Sequence, residues 1–157
     1  VIRAILACDD NWGIGKNGTL PWPHNPSDQK WFKECTVDST VVMGKTTWDD
    51  PDMPKPLPKR KNVVVTSTDA PGAHIVTDLI SAKKMLPQMD LEQDVWIIGG
   101  ARLVSSLLAY IDEFWLSRIP GTYDCDTFLP KDLIETSFYL HLSEKKDGVY
   151  IEKWRAY

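Results

Sequence analysis

In the stretch "SDQKWFKEC" an acid, Asp28, stands one helical turn ahead of two aromatic residues, Trp31 and Phe32. Spacings of i+3 and i+4 put all three side chains on one face of a helix. Two chemistries are open to such an acid. In a solvated first turn it only complements the helix dipole, a contribution of about 0.3–1 kcal/mol. On the floor of a pocket, desolvation and a bound ligand would tune its protonation and make it a candidate proton source. The chain reaches Asp28 through "GIGKNGTLPWPHNP", whose glycines and prolines predict an irregular loop. Ser27 is the expected helix cap.

Three further places join a strand-like run to a helix start or turn. "TVVMGKTTW" passes from apolar residues through Gly44 to Lys45, Thr46 and Thr47, bringing a cation, hydroxyls and backbone N–H groups to a point where a phosphate could sit. Its end resembles a nucleotide-binding P-loop, but Ser39 stands where the first glycine belongs and the long glycine-rich loop is missing. "WIIGGARL" sets Gly99 and Gly100 directly after a buried run, where missing side chains admit a ligand or another backbone. It lacks the G-x-G-x-x-G spacing of the Rossmann fingerprint. "VVVTSTDAPG" offers the hydroxyls of Thr66 and Ser67, or is a plain turn. Together the three would lie along the carboxyl edge of one parallel sheet, the usual ligand edge of open α/β folds. Lys45 and Arg102 would add positive charge there. No acid ends the second or third strand to grip an unphosphorylated ribose, which points to a 2′-phosphorylated dinucleotide.

The elements that must position these groups alternate. Strands are expected in "IRAILAC" and at 40–43, 62–66, 74–76, 94–98 and 113–119, with helices near 27–36, from Asp78 and from Ala101. Runs such as "VWII" fit strands buried on both faces, hence a mostly parallel sheet. "TSFYLHLSE" and "VYIEKWRAY", joined through "KKDG", read as an antiparallel edge. The Pro-rich segment 49–61 is a surface loop. The expectation is one α/β domain over residues 1–157, a mostly parallel central sheet of about eight strands with an antiparallel C-terminal edge and about four flanking helices.

Composition narrows the partners. A net charge of −4 opposes general nucleic-acid binding, which needs a basic face to release counterions. No apolar run is long enough to span a membrane, and "VIRAILAC" lacks the features of a signal peptide, so a cytoplasmic protein is expected. The three cysteines, Cys8, Cys35 and Cys125, are too few and scattered for a disulfide framework, and the three histidines show no ligand spacing, so no metal is expected.

Taken in order, "GIGKNGTLPW" followed by Asp28 and "WFK", "VVMGKTTW", "LPKRKNVVVTS", "VWIIGGARL" and "CDTFLP" resemble the dihydrofolate reductases along the whole chain. That resemblance implies reduction of 7,8-dihydrofolate to 5,6,7,8-tetrahydrofolate with NADPH, a place in one-carbon metabolism, sensitivity to antifolates and a monomer. It implies that Asp28 is a pocket acid that binds the pterin and promotes protonation of N5. By the same resemblance Trp22 orders a water near that acid, and Leu20 is the tip of a loop closing over the nicotinamide. Ile5, Ile98 and Ser117 join Asp28 and Gln29 at the substrate. Phe32, Met53 and Leu57 hold the aminobenzoyl ring, and Arg60 pairs with the glutamate α-carboxylate through its two-pronged guanidinium. On the cofactor side it implies Ala7, Ile14, Gly44, Lys45, Thr46, Thr47, Thr66, Ser67, Gly99, Gly100, Ala101, Arg102, Leu103, Val104 and Thr127, with a cis peptide at Gly99-Gly100.

The chain departs from the family pattern in places. Val104 replaces a usual aromatic, Ala101 a frequent third glycine and Cys125 a common glycine. Extra residues precede Asp28 and lie between Trp48 and Leu57, which leaves the place of Met53 open. Gln29 stands where an apolar residue is usual. Its amide either turns to solvent or faces the ligand, and in the second case a methoxylated phenyl inhibitor would strand it at a cost of roughly 1–3 kcal/mol. A reductase of another heterocycle on this fold, or a non-catalytic binding module, are the alternatives. The first should lack Asp28, Trp31-Phe32 and Arg60 together, and the second should lose the acid.

Overall fold

A computed structural model describes every residue except Asp147, so the connection expected at "KKDG" lies in part outside the described residues. In chain order the elements are β1 (Ile2–Cys8), β2 (Gly13–Gly15), α1 (Pro26–Thr36), β3 (Thr40–Gly44), α2 (Lys45–Trp48), β4 (Lys61–Val65), β5 (Ile75–Thr77), α3 (Leu79–Glu92), β6 (Val95–Gly99) and α4 (Ala101–Ser106). There follow a 3₁₀ turn (Leu108–Tyr110), β7 (Glu113–Arg118), β8 (Thr127–Phe128), α5 (Lys131–Ser137), β9 (Phe138–Lys146) and β10 (Val149–Ala156). Eight strands form one sheet in the order β5-β4-β3-β6-β1-β7-β10-β9. β1 runs parallel to both β6 and β7, and β3 is parallel to β4 and β6. Only β10 is reversed in this sheet, pairing antiparallel with β7 on one side and β9 on the other and forming the expected C-terminal edge.

Period-two alternation sorts the strand side chains between two cores. Ala4 and Leu6 of β1, Val42 of β3, Val63 of β4 and Ile97 of β6 pack on one face with Leu86, Leu103, Leu107 and Ile134 from α3, α4, the turn after α4 and α5. Ile5, Val41, Met43, Val64 and Trp96 pack on the other, beneath Trp31, Phe32 and Cys35 of α1. Both faces are therefore covered, which is why the strands read as continuous apolar runs. The cysteines are free, and burial pushes the Cys8 thiol up to about 12 and that of Cys35 to about 11, as expected of packed, unreactive groups.

One expectation needs correction. Asn25, not Ser27, caps α1: its backbone is extended and its Oδ1 accepts the Asp28 N–H at 3.1 Å, while Pro26 occupies the first helical position, where its missing N–H costs nothing. Among the described residues there are five α-helices, in keeping with the expected four or so. One of them, α5, buries only Ile134 and so gives a faint apolar signal. A small second sheet, β2 with β8, was also not expected from the pattern.

Candidate active site

The carboxyl ends of β3, β4 and β6 lie side by side, because these parallel strands are neighbours in the sheet. A cavity of about 530 Å³ opens across this edge. β1 contributes Ile5, Leu6 and Ala7 to its wall, and Ile14, Gly15, Gly18, Thr19 and Leu20 come from the loop that follows. α1 adds Asp28, Gln29, Trp31, Phe32 and Lys33. Thr46 and Thr47 of α2, the segment Asp50 to Arg60 through Asp50, Asp52, Met53, Pro54, Leu57 and Arg60, then Ile98, Gly99, Gly100 and Thr127 complete it.

Asp28 enters this wall from the first turn of α1, among Ile5, Trp31 and Phe32. Burial raises its carboxyl above the ordinary carboxylate range, and donation from the neighbouring Ser117 hydroxyl opposes part of the rise. That hydroxyl falls short of full hydrogen-bond geometry, since Ser117 Oγ is buried without a partner among the described residues. The pair therefore retains polar capacity for a ligand. The pocket reading of Asp28 replaces the solvated first turn.

Arg60 lies at another part of the same wall, only 8% exposed. Its Nε donates to the Pro58 carbonyl at 2.9 Å and its Nη1 to Thr36 Oγ1 at 3.1 Å, which fixes the plane of the guanidinium. Desolvation lowers its pKa, the expected cost of holding there a cation with no ion-pair partner among the described residues. Met53 also lies on the wall, the extra residues before Leu57 notwithstanding.

Gln29 follows the first of its two alternatives. It lines the cavity, while its Nε2 lies within 3.1 Å of His24 Nδ1 on the exposed side, so that end of the amide is directed to the loop before α1. An inhibitor ring at this point does not strand it. Gln29→Leu is accordingly expected to shift the inhibition constant of a methoxylated phenyl inhibitor by less than about threefold, since no unpaired amide is relieved; a tenfold tightening would show that the amide turns inward.

On the side of Gly99 and Gly100, the backbone is bare. A Cβ at Gly44 would sit 3.8 Å from Gly100 N, one at Gly99 would meet Leu6 Cδ2 and Thr47 Oγ1 at 3.4 Å, and the Gly99-Gly100 peptide is cis. α2 and α4 both begin here with no side-chain cap, so their first N–H groups remain available. Lys45 is nearby but occupied: its Nζ donates to the Asp69 carbonyl at 2.5 Å and stands 3.5 Å from Asp49 Oδ1.

Not every expected residue reaches the wall. Trp22 is buried with its ring edge-on to Tyr123, at 6.0 Å between centroids. Leu103 and Val104 face the sheet core, because positions 103, 104 and 107 share the inner side of the helix and the turn after it. Gly44, Lys45, Thr66, Ser67, Ala101 and Arg102 lie outside the wall, along the strand and helix ends beyond it. Conversely Leu6, Trp31, Lys33, Asp50, Asp52 and Pro54 line it without having been selected. Trp31 and Lys33 carried a signal, each lying one turn beyond a position on the cavity face, Asp28 and Gln29 respectively; the loop residues carried none. A second depression of about 490 Å³ beside Asp10, Arg118 and Glu152 holds an ion pair at 3.0 Å between the last two.

Comparison with known proteins agrees with this geometry. The family model described as dihydrofolate reductase matches residues 1–149. The chain is 34% identical to the dihydrofolate reductase of Bacillus subtilis, over 92% of this chain and 84% of that one. It is also 34% identical to that of Sus scrofa, covering 91% and 85%. The dihydrofolate reductase of Enterococcus faecalis complexed with NADP(H) and RAB-propyl superimposes with a TM-score of 0.82 at 29% identity, covering 99% of this chain and 96% of that one. With an acid, a buried guanidinium and a bare glycine edge opening on one cavity, and with a family model spanning nearly its whole length, this chain belongs to the dihydrofolate reductase family.

Proposed function

We propose that this protein reduces 7,8-dihydrofolate to 5,6,7,8-tetrahydrofolate with NADPH, Asp28 serving the pterin and Arg60 the glutamate carboxylate. The observation that carries the assignment is the placement of these two groups on one apolar wall: a carboxyl whose pKa burial raises, and a guanidinium with its plane fixed and no ion-pair partner among the described residues.

The glycine edge would suit a dinucleotide, because the bare backbone of Gly99 and Gly100 lines the cavity where α2 and α4 begin uncapped. Ala7, Ile14, Thr46, Thr47, Gly99 and Gly100 would hold the nicotinamide half, with Thr66, Ser67, Lys45 and Arg102 toward the 2′-phosphate. When bound, the nicotinamide supplies a hydride from C4 to pterin C6. The chain's own part is to orient and to supply a dry site. Ile5, Phe32 and Leu57 exclude water around the pterin and ring. Asp28, with its raised pKa, holds or relays a proton toward N5, directly through the pterin or by one water. Leu20, 51% exposed at the mouth, would cover the nicotinamide.

The test is NADPH oxidation with and without dihydrofolate: consumption only with both supports the proposal, and none with dihydrofolate ends it. NADPH should be preferred to NADH. Lys45→Ala should cut that preference by up to about fivefold, since an exposed ion pair is worth about 0.2–1 kcal/mol; kcat/KM for both cofactors measures it. Residence in the cytoplasm and a monomeric state belong to the same proposal. Three free cysteines support the first, and among the described residues no helix is long and apolar enough to cross a membrane. Sedimentation would decide the second.

A further inference from the structure

The segment 9–25 between β1 and α1 places Ile14, Gly15, Thr19 and Leu20 on the cavity wall, yet it has little regular structure of its own. At its root lies a carboxylate that the chemistry above does not use. Asp9 is 1% exposed. One of its oxygens, Oδ1, accepts the N–H groups of Asn11 at 2.9 Å and Gly13 at 2.8 Å. The other, Oδ2, accepts the N–H of Tyr123 at 3.1 Å and faces the Cys125 thiol at 3.5 Å. Each oxygen thus serves a different loop: one the segment 9–25, the other the segment 119–126 between β7 and β8.

The same junction is braced from other directions. Arg118 Nη1 donates to the Asp9 carbonyl at 3.1 Å, and Asp10 and Gly121 exchange two bonds at 2.9 Å. Gly13 packs so closely on Cys125 that a Cβ there would lie 2.4 Å from Sγ. From this root one path leads to the cavity wall, since Gly13 is followed by Ile14, and a second leads back into the loop, since Tyr123 carries the ring that meets Trp22, two residues beyond Leu20. Burial opposes ionisation of Asp9, but the three N–H groups and the thiol outweigh it and hold the carboxyl below its ordinary value, so it is an anion at neutral pH.

We infer that Asp9 is a positioning residue for the reduction: by dividing its two oxygens between the loops, its carboxylate sets Ile14 and Leu20 against the cofactor half of the cavity. The inference rests on the NADPH-dependent reading above. An amide cannot replace the carboxylate. Asn has one accepting oxygen, and its NH₂ would confront the N–H donors of one loop or the other.

The experiment is Asp9→Asn in the full chain, beside the wild type and a control, Leu86→Ala, which opens a cavity in the core beneath α3 and touches neither loop. For Asp9→Asn we expect the KM for NADPH to rise about tenfold and the single-turnover rate to fall, with the KM for dihydrofolate within about twofold of wild type. Amide exchange at Gly13 and Tyr123 should accelerate. Exchange at Asn17, whose N–H is bonded to Asp126 Oδ2 at 2.9 Å, should accelerate with them as the loop loosens from its root. The control should lose stability without that division between the two substrates. Wild-type kinetics in Asp9→Asn, an equal rise in both KM values, or unchanged exchange at Asn17 would overturn the inference. A wild-type protein without turnover would instead overturn the reductase reading, while the exchange data still show whether Asp9 holds the two loops.

Discussion

Asp28→Asn is expected to lose about 10²- to 10⁴-fold in turnover at neutral pH, the usual share of general acid–base assistance, while dihydrofolate still binds. Activity should recover as the medium becomes acidic enough to protonate the substrate directly. The same variant should be more heat-stable than wild type at neutral pH. Because burial raises the carboxyl, the folded protein keeps its proton in a range where the unfolded chain has already released it. Stability therefore falls as pH rises from the ordinary carboxylate range through the folded pKa, and above that the cost of the buried charge is complete. The neutral amide removes this cost, so the gain in Tm should shrink in acid and vanish below the unfolded pKa. Steady-state pH profiles and melting curves from pH 3 to 8 are the measurements. A variant with the wild-type rate profile would remove Asp28 from the reaction.

The second large effect is expected at the opposite group. Arg60→Lys preserves charge but loses the fork, and with it the bonds to the Pro58 carbonyl and Thr36 hydroxyl that aim it. Hydrogen bonds to a charged group contribute about 1.5–3 kcal/mol, so dihydrofolate and inhibitors bearing a glutamate should bind about 10- to 150-fold more weakly. Inhibitors without that carboxylate should change little. Inhibition constants for one of each kind separate the outcomes: a uniform loss would mean that Arg60 supports the wall by packing and not by recognition.

The sheet was legible in the sequence wherever both faces are buried. β1, β3, β4 and β6 write that burial as unbroken apolar runs, and the glycines and threonines that end them mark the ligand edge without any knowledge of distant contacts. The helix cap was misplaced by two residues because Asn, Pro and Ser in succession all suit a helix start, and only backbone geometry chooses Asn25. α5 and the β2–β8 pair were not legible, since neither has a face long enough to show a period. In the site, Asp28 and Phe32 follow from helical spacing. Asp50, Asp52 and Pro54 do not, because a Pro-rich loop has no repeat from which to infer direction. Asp9 lay outside any local signal: Tyr123 and Cys125 are 114 and 116 residues away along the chain.

The fit of Gly13 against Cys125 has a consequence for how this sequence can drift. Between them the two positions hold little more than one small side chain, so they form a shared allowance of volume, and the order of replacements matters. Alanine at Gly13 first would press a methyl group to 2.4 Å from Sγ and force the two loops apart. Replacing Cys125 by glycine first gives up only a long thiol contact to Asp9, after which a Cβ at Gly13 is left with one tight neighbour, Asp9 Oδ1 at 3.0 Å, which a shift of a few tenths of an ångström relieves. Of the two routes between the same pair of endpoints, one passes through a damaged intermediate and the other does not, so lineages carrying this pair should be found to have changed the residue at 125 before the residue at 13.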